Sequence, residues 1–444
     1  MGTGALSELN GAAGNTASGY GALHSDTLGQ ANVANGAGAL YSNTSGMNNV
    51  AVGTNVLYYN TVGAYNTVIG YDAMEMNVSG QFNTAVGSLS LYNNTTGLEN
   101  SALGVDALNS NTVGSNNTAV GYIPLGANTS GTANTAVGGY ALRSNTTGNY
   151  NTAVGYGALF LSTTSIDNSA FGYEALYSNT LGATNTANGY KAIYSNTTGV
   201  SNLGSGAFAL YANTSGSYNV ADGDEALLNN IDGASNTAIG RNALFSNTTG
   251  SNNIALGEAA GYTLTTGNNN IDIANQGVDG ESGAIRIGTP GTQTATFIAG
   301  INTTHVTGST VIVTANGQLG VLASSEKYKT AIAPLGSDSD KVFDLRPVTF
   351  KLKTEPRGAI QYGLIAEEVD KVYPDLVIRD QAGAIQGVGY DELAPILLKV
   401  VQQQRQVLGK EEKLLAKQGK QLRELQKQFE QFRRQDPRQL TALR

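Results

Sequence analysis

Asn134-Thr135-Ala136-Val137-Gly138-Gly139-Tyr140-Ala141-Leu142-Arg143-Ser144-Asn145-Thr146-Thr147-Gly148-Asn149-Tyr150 is followed at once by Asn151-Thr152-Ala153-Val154-Gly155-Tyr156, so the chain restarts after 17 residues. Stepping by 17 in both directions from Gly138 meets Gly at fifteen consecutive stops, from Gly19 to Gly257, with no insertion. Asn stands four residues before each stop, from Asn15 to Asn253. Leu stands four residues after most of them, with Met74, Ile193 and Gly261 as departures. A second Gly column (Gly29, Gly46, Gly63 and onward) is broken at Ser165. A fixed short period of this fidelity means stacked coils rather than a random linker.

The unit can be read physically. Asn-Thr-Ala-Val-Gly alternates like a strand and puts Ala and Gly on one face, where small residues imply close approach of another backbone. Asn-Thr-Thr-Gly is turn chemistry. Seventeen residues suit one turn of a β-solenoid whose identical side chains stack at the strand spacing of roughly 4.8 Å. Ala and Leu at two positions per coil make a thin core, so the sequence predicts that the apolar faces of three chains meet around a three-fold axis.

Composition sets the limits. Of 444 residues 57 are Gly and none is Cys, which excludes disulfides, thiolate metal sites and a cysteine nucleophile. His24 and His305 are the only histidines, and they are too far apart in sequence to suggest a zinc motif. No metal or cofactor is expected. Residues 1–323 hold 4 Lys/Arg against 16 Asp/Glu, while residues 324–444 hold 21 against 17, so two different proteins share one chain. The acidic, Arg-poor first part argues against nucleic acid as a partner. No apolar run approaches a membrane span and no signal peptide is recognised at the N-terminus. Pairs such as Gly19/Gly21 lack the third Gly and the βαβ context of a nucleotide fingerprint.

Over residues 1–262 the repeats resemble the β-roll heads of trimeric autotransporter adhesins, and still more the repeat shafts of bacterial and phage tail-fibre proteins. Short alternating segments follow at Asn270–Ile273, Ala284–Gly288, Thr296–Ile301 and Val311–Val313 and read as a β-rich neck over 263–323.

From Ser324 the chain reads Ser-Ser-Glu-Lys-Tyr-Lys-Thr-Ala-Ile. Leu345-Arg346-Pro347-Val348-Thr349-Phe350, Tyr362-Gly363-Leu364-Ile365-Ala366-Glu367-Glu368-Val369, Tyr373-Pro374-Asp375-Leu376-Val377, Val388-Gly389-Tyr390 and Leu393-Ala394-Pro395-Ile396-Leu397 follow. This ordered series resembles the intramolecular chaperone domain of endosialidases and phage tail spikes. The resemblance implies a domain that trimerises, guides folding of the β-structured stalk before it, and then cuts itself off between Ala323 and Ser324. Ser324 and Lys329 match the family's Ser–Lys dyad. Ser325, Glu326 and Lys327 depart from the family's usual residues around it, and Ala331 stands where Asn or Asp is usual. Serine needs a base to take its proton, and a lysine serves only when its ammonium has lost its own, which a desolvated site favours. Glu367 and Glu368 are adjacent on a helical pattern and point to different azimuths, so they read as an exposed face rather than an acid–base pair.

A long helix is expected after Asp391. Val401, Leu408, Leu415, Leu422 and Phe429 recur every seven residues as a coiled-coil seam, with Leu397, Gln404, Glu411, Gln418, Leu425 and Phe432 as partly polar companions. Pro437 marks its expected end.

The sequence thus predicts a mainly β, trimeric β-solenoid or β-roll shaft (1–262), a β-rich neck (263–323), a small α+β chaperone and autopeptidase core (324–390), a coiled-coil helix (391–436) and a tail (437–444). The function expected is a homotrimeric fibrous structural or adhesin protein on a phage tail or bacterial surface, matured by one self-cleavage and inactive on external substrates. The alternative is an uncut surface adhesin whose C-terminal domain stays as a trimerisation anchor. The Asn/Thr/Tyr repeat surface would suit a host-surface glycan or another polar polymer.

Overall fold

The computed structural model describes residues 2–7, 11–293, 295–298, 311–314, 317–321, 324–380 and 382–435. The chain divides into two units, Met1–Phe297 and Ile298–Arg444.

The first unit is a β-solenoid. Three-residue strands β1 (Thr16–Ser18), β2 (Val33–Asn35) and onward to β16 (Ile271–Ile273) and β17 (Ile285–Ile287) form one 17-stranded parallel sheet. Each strand pairs with the next along the chain, as in Thr135↔Thr152 and Ala136↔Ala153. The strand is shorter than the motif suggests: in coil 134–150 only Thr135–Val137 is extended, and turns make up the rest. To return to its start within 17 residues the chain bends through left-handed positions at Tyr140, Leu142 and Tyr150, with φ of 60°, 51° and 60°. Such conformations cost roughly 1–2 kcal/mol per L-residue. Hydrogen bonds between coils offset the cost. Thr135 and Leu142 donate to Asn151 and Ala158 in the following coil at 2.8 and 2.9 Å, while Gly138 and Tyr140 donate to Val120 and Tyr122 in the preceding one at 2.8 and 2.9 Å. Every coil is therefore tied to both neighbours.

The small residues do mark a close backbone approach, and the backbone is the next coil's. Gly138 has φ 126°, and a Cβ there would lie 2.6 Å from the Gly155 carbonyl oxygen.

The thin core is closed within a single chain, which corrects the expectation that Ala and Leu face other copies. Ala136, Ala141 and Leu142 are wholly buried, as are their counterparts in nearly every coil. Two columns of buried asparagines wall them in. In the first, the backbone and side-chain N–H groups of Asn134 both donate to Asn117 Oδ1 (3.0 and 3.3 Å), and Nδ2 also donates to the Gly148 carbonyl at 2.8 Å. In the second, Asn145 Nδ2 donates to Asn128 Oδ1 at 2.8 Å and to that same Gly148 carbonyl at 3.1 Å. One carbonyl per coil thus joins the two columns.

The break at Ser165 now has a cause. A Cβ on Gly148 would lie 2.4 Å from Asn145 Oδ1 and 2.4 Å from the Ser165 carbonyl oxygen of the next coil, so the column favours Gly and does so most strongly where its partner is Asn. In coil 151–167 the Asn is Ser162, the Cβ of Ser165 fits, and the two hydroxyls bond to each other. The cost falls on Asn145 Oδ1, which is buried without a partner among the described residues.

The repeat does not end at residue 262. Coil 253–269 puts Gly261 at the leucine position and buries Leu264 at the asparagine position. β16 then continues the sheet 17 residues on (Ile254↔Ile271), and β17 follows after only 14 (Ile271↔Ile285). Two segments expected in the neck, at 270–273 and 284–288, are therefore the last strands of the solenoid. Residues 295–298 form no strand, and 299–301 lie outside the described residues.

In these last coils the alanine column reads Ala255, Asp272, Arg286. Asp272 is 1% exposed, and neither of its carboxylate oxygens has a hydrogen-bond partner among the described residues. The Arg286 guanidinium is held by Glu281 through Nε at 2.7 Å and Nη2 at 2.6 Å. Burial, and secondarily the Glu281 charge, push the Asp272 carboxyl up to about 6 against the opposing pull of Arg286.

Among the described residues the second unit contains three antiparallel pairs: β18 (Val311–Val313) with β19 (Leu319–Val321), β20 (Val348–Phe350) with β21 (Gln361–Gly363), and β22 (Val377–Arg379) with β23 (Ile385–Val388). Helix α1 (Ala366–Val372) precedes β22, and the 46-residue α2 (Tyr390–Gln435) closes the unit. Val369, Leu376 and Ile396 form a small core, with Leu345, Leu364, Tyr373, Val388 and Leu393 packed against it.

Candidate functional site

A 3-10 turn over Glu326–Tyr328 has Ser325 immediately before it and Lys329 immediately after it, and Ser324 stands one residue upstream of Ser325. Ser325 and Lys329 are extended (ψ 142° and 141°), and the turn is closed by Tyr328 N–H to the Ser325 carbonyl and Lys329 N–H to the Glu326 carbonyl, both at 3.0 Å. The six residues thus form a short bracket with the serine and the lysine at its two ends. Both are exposed, and no hydrogen bond links them among the described residues. Ala323, the other side of the expected cut, lies outside the described residues. Lys327 Nζ sits 4.6 Å over the Tyr328 ring.

Two residues further on, Ala331 has φ 53°. Asn and Asp enter this left-handed region far more readily than Ala, because their short polar side chains bond locally. The departure at this position therefore has a physical content, which is backbone strain beside the bracket.

The other motif blocks converge on the second unit's core. Arg346 forks onto Glu368 (Nε 3.1 Å, Nη2 2.5 Å), tying the Leu-Arg-Pro-Val segment to the first turn of α1. That bond holds the Glu368 carboxyl below its usual range. The Glu367/Glu368 pair is thus structural, with Glu367 in solvent and Glu368 engaged by Arg346. The Tyr373 hydroxyl donates to the Asp338 carbonyl at 2.5 Å, and the Tyr390 hydroxyl accepts from Leu364 N–H at 2.8 Å. Asp380 accepts from Ala384 and Ala382 N–H at 2.9 and 3.0 Å and from Gln386 at 2.8 Å, bonds that lower its carboxyl. Pro347, Val348, Tyr362, Leu364, Tyr390 and Leu393 line a shallow hollow between the β20–β21 hairpin and the start of α2.

Helix α2 runs past Pro395, Gly409 and Gly419 without a break, and Pro437 lies outside the described residues. Its inner end is held by Ile396 and Val400, which are buried. Beyond them the seam is uncovered: Val401, Leu408, Leu415, Leu422 and Phe429 are all 58–66% exposed. No group of three or more metal-ligating side chains occurs among the described residues, and no described helix is long and apolar enough to cross a membrane.

With this geometry in place, comparison with known proteins is informative at one point. Residues 324–378 match the model of a peptidase family described as chaperone of endosialidase. No curated protein and no solved structure matches the chain. The chain therefore carries a chaperone-of-endosialidase domain near its C-terminus, preceded by a long β-solenoid. The match begins at Ser324, the residue that opens the bracket.

Proposed function

We propose that the protein is a homotrimeric, tail-fibre-like shaft whose C-terminal domain assists trimer folding and then removes itself by one cut between Ala323 and Ser324. The observation that carries this reading is the family match starting at Ser324, directly downstream of a fibrous solenoid. In the proposed step Ser324 Oγ attacks the Ala323 carbonyl carbon and Lys329 accepts the hydroxyl proton. The C–N bond breaks and the Ser324 nitrogen takes up a proton, leaving an ester that water opens to a carboxylate and a free serine hydroxyl. The exposure of Ser324 and Lys329 in a single chain supports a gate: the desolvation a lysine base needs would come from neighbouring copies, so the cut would report a finished trimer.

The exposed α2 seam supports three copies in parallel. A polar or glycan ligand, if the shaft has one, belongs in this reading to the repeat surface, where many weak sites add up. The test is a mass measurement. Wild type should yield fragments 1–323 and 324–444, Ser324→Ala and Lys329→Ala should stay whole, and Ser325→Ala should still cut. An intact wild-type trimer would favour instead an uncut adhesin that keeps its anchor. Cleavage that stops in Ser325→Ala but not in Ser324→Ala would move the nucleophile by one residue.

A further inference from the structure

The solenoid's own chain leaves one long apolar column uncovered. The second residue of each strand points into the core, and the third points outward. That third residue is apolar in eight successive coils, beginning at Val52 and Ile69, passing Leu103 and Val137, and ending at Phe171. Over the same coils the first strand residue is Val, Thr or Ser, so the outward sheet face carries no charge from Val50 to Phe171. The column breaks at Asn188, Ser205 and Asp222. At the parallel-strand spacing eight coils span about 34 Å.

We propose that this column is where the shafts of separate copies meet, with the third strand residues of three chains facing one another along the axis. The inference rests on the homotrimer reading and specifies its contact face. Three observations favour a second copy over any other occupant. The column has one side chain per coil at a fixed pitch, and the partner that matches this pitch over eight layers is another solenoid of the same repeat. The Ala and Leu side chains are closed inside each chain and cannot serve. The longest aromatic column is already engaged within the chain, since Phe160, Tyr177, Tyr194 and Tyr211 stack face to face at 4.9–5.2 Å, while the exposed tyrosines Tyr20, Tyr71, Tyr150 and Tyr218 do not follow one another in successive coils. Copies related by one three-fold axis lie at the same height along it, which sets Val137 against Val137.

The area is informative as well. A ridge about 34 Å long and about 10 Å wide buries on the order of 700 Å² per pair, short of the 1,200 Å² at which stable interfaces begin; three contacts closed into a ring approach 2,000 Å². Two shafts would therefore part before a third arrived, unless something held them together. A trimerising domain at the C-terminus does that.

The chain has no cysteine, so single thiols report contacts without background. Val137→Cys, Thr147→Cys on an exposed turn of the same coil, and Leu415→Cys are compared in full-length protein, each also carrying Ser324→Ala. Each is oxidised with copper–phenanthroline, at two concentrations tenfold apart, and run on denaturing gels. Val137→Cys should shift about two-thirds of the chains to disulfide-linked pairs, because one of three thiols at the axis is left over, and the yield should not change on dilution. Thr147→Cys should stay near background. If Leu415→Cys cross-links while Val137→Cys gives no more than Thr147→Cys, the contact face is wrong and the trimer stands. If neither Leu415→Cys nor Val137→Cys cross-links, the trimer reading falls and takes this inference with it.

Discussion

Asp272→Ala restores the residue that the repeat places in the alanine column, and the structure fixes both the sign and the size of its effect. A carboxyl pushed up from 3.8 to about 6 in the folded state disfavours folding once it ionises. Its contribution is intact below pH 4, declines as pH rises from there to about 6, and stays lost above. At about 1.4 kcal/mol per pH unit the gap corresponds to about 3 kcal/mol at pH 7.5, an upper figure because solvent can relax around the last coil. Replacing Asp272 by Ala removes that penalty together with two orphaned acceptors. Solenoid stability is local, so the assay must be local too: amide hydrogen exchange, followed by mass spectrometry on peptides covering 254–288. The reporting amides include Ile271 N–H, bonded to the Ala284 carbonyl at 2.8 Å, and Gly288 N–H, bonded to the Ile273 carbonyl at 2.8 Å. In the variant they should exchange 10- to 100-fold more slowly at pH 7.5, and within about 3-fold of wild type at pH 3.5, after correction for intrinsic rates. An equal gain at both pH values would refute the ionisation argument, and no gain at either would show that the carboxyl is satisfied in solution.

Other outcomes follow from the same geometry. Gly131→Ser should lower the thermal midpoint sharply, because its Cβ would meet Asn128 Oδ1 at 2.3 Å, whereas adding Asn128→Ser should restore part of the loss and give a strongly non-additive double-mutant cycle, since the two serines would then reproduce the Ser162/Ser165 pair. Asn117→Ala leaves the backbone and side-chain N–H groups of Asn134 without their shared acceptor and takes one donor from Asn100 Oδ1 and one from the Gly131 carbonyl, and should cost roughly 3–5 kcal/mol, read as faster exchange in the flanking coils. Ala331→Asn should stabilise the second unit by about 1 kcal/mol in thermal unfolding, by relieving a left-handed alanine. Leu415→Ser with Leu422→Ser should reduce the mass seen by light scattering if the seam joins copies.

The coil is legible because its period is exact in sequence and each repeated residue has one structural duty. Ala136 is buried, Gly138 is pressed against Gly155, and the Asn-Thr-Thr-Gly run turns. What stays hidden depends on pairs of positions rather than on single ones. That Asn134 and Asn145 share one carbonyl cannot be read from either residue, nor can the rule that Ser165 is allowed because Ser162 is there. The closure of the Ala/Leu core within one chain escapes the sequence because two apolar positions per coil look insufficient until the asparagine walls are counted with them. The end of the solenoid reads too early because Asp272 and Arg286 abolish the apolar signal while the backbone pairing continues. In the second unit the serine and lysine are found through resemblance alone: two exposed side chains five apart carry no local signature, and the geometry that would join them is absent from a single chain.

A stack of identical coils is open at each end, and an open end of parallel sheet is a template onto which another stack can add. The last coils of this chain oppose such addition at the C-terminal end of the stack. A coil of 14 residues instead of 17 leaves the terminal layer out of step with any layer of another shaft, and the Arg286–Glu281 pair beyond Asp272 would have to be stripped of water before a further sheet could seat on it. End-to-end polymerisation therefore meets both a mismatch and a desolvation barrier. Where the stack stops at that end is thereby set by the sequence of its last coils rather than by concentration.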